Sequence, residues 1–179
     1  MAGCGATRRG AAAVLGCTML LGAGCAAEPP GALAREPAPR TVAKSGLAVG
    51  AARRALAARY LVIAKAGNRR LEADFDPLET RDRNDLVRAK ADLRDAAATE
   101  RLFDRRLLRI PFPPEIERVA RDLYRLNQAR ARLTAAAAAS TSLGALHSYE
   151  PLLYAANGPV ERAVGTIRRQ LGLPPLSAS

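Results

Sequence analysis

Ile116, Val119, Leu123, Leu126, Arg130, Leu133 and Ala137 recur at alternating intervals of three and four residues. Side chains so spaced share one face of an α-helix, and such a face is the seam along which antiparallel helices pack. Arg130 breaks this seam and Asn127 borders it. No stretch of the chain alternates with the period of two that a half-buried strand needs. A core built around this segment must therefore come from other helices.

Three further segments supply them. Leu56, Tyr60, Ile63, Leu71 and Phe75 share a face of a first helix that starts near Ser45. Pro77 is expected to stop it, because proline disfavours helical geometry in the residue before it. Asn84 is the expected cap of a second helix, with Leu86, Leu93, Ala97, Phe103, Leu107 and Ile110 as its apolar stripe. The run Ile110-Pro111-Phe112-Pro113-Pro114 ends that helix and opens the third, where Glu115 and Glu117 suit the positive end of the helix dipole. A fourth segment runs from about Ser142 to Leu171 on Leu143, Leu146, Leu153, Val160, Val164 and Ile167. Pro151 and Pro159 predict kinks in it, and Asn157-Gly158-Pro159 predicts a split. The expected fold is all-α: an up-down-up-down four-helix bundle over residues 45–173 with a kinked last helix, then a tail over 174–179.

Ahead of the domain, Arg8 to Cys25 reads RRGAAAVLGCTMLLGAGC. Two arginines precede an apolar run from Ala11 to Leu21, too short for a membrane span of about 20 residues. Small residues then lead to Cys25. The stretch resembles a bacterial lipoprotein signal peptide, which implies cleavage after residue 24 and a diacylglyceryl group on Cys25. Leu21 lies one position further from Cys25 than the lipoprotein pattern asks. Val14-Leu15-Gly16-Cys17 matches that pattern better locally, but leaves only about five apolar residues where about 7–15 are expected. Cys25 is therefore preferred to Cys17. Residues 26–44, with four prolines, read as an extended linker that reaches at most about 60 Å. The expected location is the extracytoplasmic face of the cell membrane.

The formal net charge is +11 over 179 residues, and removing Arg8 and Arg9 with the signal leaves the mature chain strongly cationic. Anionic envelope polymers and lipid headgroups are the partners this permits. Nucleic acid is not expected, because the basic residues lack the interleaved aromatics of single-strand binders. No cofactor is expected: no glycine-rich phosphate loop or Cys/His zinc set is present. His147 is the only histidine, and with Glu150 it forms a His-x-x-Glu pair. A di-iron bundle needs two such histidines, so no metal site is assigned. The acidic run Glu72, Asp74, Asp76, Glu79, Asp82 and Asp85 lacks calcium-loop spacing and reads as a salt-bridged, solvated helix end.

Glu100 is the more informative acid. It falls between Ala97 and Phe103 on the apolar stripe of the second helix. In an antiparallel pair turning at Pro111–Pro113, it lies near the height of Asn127 and Arg130. A buried polar cluster of Glu100, Asn127 and Arg130 is expected, serving to fix helix register or to form a polar spot in a ligand pocket.

Tyr60-Leu61-Val62-Ile63-Ala64, Asn68-Arg69-Arg70-Leu71, Phe103-Asp104, Phe112-Pro113-Pro114 and Ile167 to Pro174 resemble segments of the uncharacterised Ala/Arg-rich helical lipoproteins of high-GC actinobacteria. The resemblance implies an exported helical domain and carries no catalytic residues. The expected function is a non-enzymatic binding or structural module of the envelope. The alternatives are a small-ligand or lipid sensor with a cavity opened at Pro151 and Pro159, and an envelope enzyme using His147.

Overall fold

The computed structural model describes residues 40–175, and over 40–47 only the backbone. The signal, Cys17, Cys25, the linker up to residue 39 and the tail from residue 176 lie outside the described residues. The described chain forms α1 (Arg40–Glu79), α2 (Leu86–Leu107), α3 (Pro114–Ala138), the single-turn α4 (Leu143–His147) and α5 (Glu150–Gln170). No strand occurs among the described residues. None of these helices is long and apolar enough to cross a membrane.

The fold is a helical bundle in which α2 packs between α1 and α3, and α3 also packs on α5. The α1–α2 pair is antiparallel: Thr99 donates to Asp74 at 3.2 Å, while Gly67 faces Phe103. The α2–α3 pair is also antiparallel, with Asn127 opposite Asp104 and Thr134 opposite Glu100.

The interior falls into three layers. At the end where α2 hands over to α3, Ala57, Tyr60, Leu107, Ile110, Phe112, Ile116, Leu123, Val164 and Ile167 form one apolar cluster. At the other end Ala89, Leu93, Ala137, Ala138 and Leu146 form a second, with Phe75 and Tyr149 against it. Between them on α2 and α3 lie buried polar residues. Each fully buried Leu or Ile in the apolar layers contributes about 1.5–3 kcal/mol by leaving water. Tyr60 is completely buried, its hydroxyl has no hydrogen-bond partner among the described residues, and burial pushes its pKa up to about 12 against the opposing charge of Arg168. It therefore stays neutral and serves as packing.

Several boundaries differ from the sequence expectation. α1 begins at Arg40, inside the stretch read as linker, and continues past Pro77 to Glu79. Pro77 sits in the final turn, where little helix remains to disrupt, and its carbonyl accepts from the amides of Thr80 and Asp82. Asp85, not Asn84, caps α2: its Oδ1 accepts from the amides of Val87 and Arg88 at 3.0 and 3.1 Å. A carboxylate satisfies two of the orphan amides at once. The fourth segment divides at Ser148–Tyr149 rather than at Pro159, giving α4 and α5. Pro151 lies in the first turn of α5, where its missing N–H is not needed. Asn157-Gly158-Pro159 stays helical within α5. That helix closes at Gly172, whose φ of +71° suits glycine, with Leu173 donating to the Arg168 carbonyl and Gly172 to that of Arg169. This is a Schellman cap.

The buried stripe of α3 is also rotated from the seam read in the sequence. Ile116, Ala120, Leu123, Asn127, Ala131 and Thr134 are buried, while Val119, Leu126, Arg130 and Leu133 are half-buried. Small residues take the line of closest approach because helices packed on both sides leave no room for larger ones there. The longer side chains flank it.

Candidate functional site

The polar layer is built by two helices whose periodicity brings polar residues inward. On α2, Glu100 and Asp104 are four residues apart and share a face; both are at most 1% exposed. On α3, Asn127, Arg130 and Thr134 present the complementary groups. Glu100 Oε1 lies 3.2 Å from Arg130 Nη1, and Thr134 Oγ1 reaches Glu100 Oε2 at 3.5 Å. Asn127 Nδ2 donates to Asp104 Oδ1 at 2.9 Å and to the Glu100 carbonyl at 3.3 Å. Gln128 Nε2 donates to Asp104 Oδ2 at 2.7 Å. The structure thus places Glu100, Asn127 and Arg130 together. Asn127 occupies the buried stripe and Arg130 its flank, the reverse of the roles the spacing assigned them.

Burial dominates the electrostatics of this layer. It raises the Glu100 carboxyl to about 7, even though Arg130 and the Thr134 hydroxyl favour the ionised form. Asp104, also near enough to repel it, adds to the rise. Asp104 is itself raised by burial, with the amides of Asn127 and Gln128 opposing. Arg130 Nε has no hydrogen-bond partner among the described residues. Most polar atoms of the layer point at one another, as groups that set helix register do.

Asp104, Gln128 and Thr134 were not singled out in the sequence. Asp104 lies one turn from Glu100, and Thr134 one turn from Arg130, so the signal was i,i+4 repetition of a polar residue on an apolar face.

Other candidate groups separate. His147 ends α4 while Glu150 opens α5, so the pair does not share one helix face. The acidic run is divided among local tasks. Asp82 is buried, contrary to the solvated reading, and pairs with Arg81 at 3.2 Å and Arg88 at 3.5 Å. Asp85 caps α2 and Asp74 accepts from Thr99. Among the described residues, no group of three or more His, Cys, Asp or Glu is placed to hold a metal ion.

Two open grooves flank α2 and α3. One, of about 230 Å³, has a floor of Ala97, Ala135, Ala138 and Ala139 between Arg94 and Arg101. The other, of about 480 Å³, is lined by Leu107, Leu108, Ile110, Phe112 and Tyr124, together with Glu117, Arg121 and Arg125. Neither involves Pro151 or Pro159, where a ligand cavity was expected.

Comparison with family models, curated proteins and solved structures finds no match to this chain.

Proposed function

We propose that this chain is a lipid-anchored, extracytoplasmic helical module: an up-down-up-down four-helix bundle with a binding or structural role in the cell envelope and no catalytic activity. The observation that carries this reading is the stretch from Arg8 to Cys25, with its paired arginines, short apolar run and small residues ahead of a cysteine. A diacylglyceryl cysteine followed by a proline-rich linker holds a folded domain near a bilayer without spanning it. The polar layer supports the non-enzymatic part, because its carboxylates are engaged by Arg130, Asn127, Gln128 and Thr134 rather than turned toward a substrate-sized space. Cys25→Ser is expected to move the protein from the membrane fraction of its native host to the soluble or uncleaved pool. Unchanged membrane retention of correctly cleaved Cys25→Ser protein would overturn the anchor.

A second reading is a lipid or small-ligand sensor. The groove lined by Leu107, Ile110 and Phe112 favours it, because apolar side chains there stand beside Glu117, Arg121 and Arg125.

A further inference from the structure

Charge runs the wrong way along α1 for the stability of a helix. From Ala48 to Leu71 the sequence carries Arg53, Arg54, Arg59, Lys65, Arg69 and Arg70 and no acid, whereas Glu72, Asp74, Asp76 and Glu79 crowd its end. The helix dipole favours the opposite arrangement, anions at the N-terminus and cations at the C-terminus.

The fold gathers more cations at that end. Ala57 and Tyr60 of α1 share a cluster with Leu107, Ile110 and Phe112, so the middle of α1 passes the turn between α2 and α3 and its first turns extend about 25 Å past it. Between Ala48 and Ala55 no side chain of α1 is buried. Around the turn, Arg106, Arg109 and Arg118 are exposed and form no ion pair among the described residues, as is true of Arg53, Arg54 and Arg59 on α1. Of the nearby acids, Glu117 and Asp122 are already paired with Arg121 and Arg125, which leaves Glu115 against these six arginines. Leu108 stands between Arg106 and Arg109 with 48% of its surface in water, and Pro111 beside it is exposed. Finally, the residues between Cys25 and Arg40 join the bundle through the N-terminus of α1.

We propose that this end of the bundle docks on an anionic lipid bilayer, with the unpaired arginines at the headgroups and Leu108 entering between them. The geometry rests on the anchored reading, since the span from Cys25 to Arg40 is at most about 50 Å and about 25 Å of α1 then leads to the turn, which keeps it within reach of the bilayer. A lipid surface fits better than a soluble polyanion because an exposed leucine flanked by arginines gains from an apolar boundary beneath the headgroups.

The chain has no tryptophan, so Leu108→Trp and Val87→Trp each place a single reporter at opposite ends of α2. The mature protein from its native host is added to phosphatidylcholine vesicles carrying a nitroxide headgroup lipid, with or without phosphatidylglycerol. Quenching of the Leu108→Trp reporter is expected to rise at least about threefold with phosphatidylglycerol and to fall with salt, while the Val87→Trp reporter stays unquenched. Arg106→Glu with Arg109→Glu should abolish the rise. Equal quenching at both ends, indifference to phosphatidylglycerol, or a rise untouched by the charge reversal overturns the docking. Stronger binding to soluble polyphosphate than to the anionic vesicles overturns the choice of lipid. Retention on vesicles in high salt reads the anchor separately: protein that washes off disproves the anchor, while quenching at low salt still decides the docking.

Discussion

Replacing Arg130 with Met is expected to cost up to about 1.5 kcal/mol more stability at about pH 8 than at about pH 5. The reason lies in Glu100, which is 1% exposed and has Arg130 as its only ion-pair partner among the described residues. At about pH 8 the parent gains from ionising Glu100 beside Arg130, while the variant must keep that carboxyl protonated or bury it as an unpaired anion. At acid pH Glu100 holds its proton, and only the contact is lost. The parent protein should show the same linkage in weaker form. The folded pKa of Glu100, about 7, lies above its ordinary value of 4.5, so the folded state binds the proton more tightly. The Glu100 contribution is then fully present below about pH 4.5 and falls by about 3 kcal/mol as pH rises through 7. Asp104 and Asp74, also raised by burial, add slopes of the same sign. Denaturant titrations of the parent, Arg130→Met, and the double variant with Glu100→Gln check this. The double variant should lose the Glu100 part of the slope and exceed Arg130→Met in stability at about pH 8. Equal destabilisation by Arg130→Met at both pH values would show that Glu100 does not change its protonation between them, contrary to a pKa of about 7.

Leu123→Ala is expected to cost about 2–5 kcal/mol, because it empties a fully enclosed site shared by α1, α3 and α5. Leu126→Ala should cost less than about 1.5 kcal/mol, because Leu126 is half-buried and water can take the vacated space. The two leucines stood side by side in the seam read from the sequence, so the contrast tests the rotated stripe directly. Similar losses from both substitutions, read as denaturant midpoints at unchanged slope, would return the seam to its sequence-based position.

These residues show what sequence can and cannot disclose. The 3–4 spacing from Ile116 onward identified α3 as a helix, but spacing alone does not choose between Leu126 and Asn127 as the buried member. That choice depends on how closely α2 and α5 approach, and close approach selects Ala120, Ala131 and Thr134. The fourth segment ended at Leu171 as read, and Gly172 closes it because a left-handed cap is a local requirement. Pro77 and Pro159 misled because the effect of a proline depends on its position in the finished helix. One lies in a final turn, and the other is held within α5 by packing of Val160, Ala163 and Val164. In the candidate site, Glu100 and Arg130 stood out as charges on apolar faces. Asp104 was hidden among Arg101, Arg105 and Arg106, and only the inward rotation of α2 reveals it.

The account depends most on where the chain begins its mature life. Intact mass of the protein purified from native-host membranes measures that directly. The account predicts a chain that starts at Cys25 and carries a diacylglyceryl group. A mature protein that starts elsewhere without lipid would contradict it, and would make this bundle a freely diffusing one whose basic end meets no membrane by design.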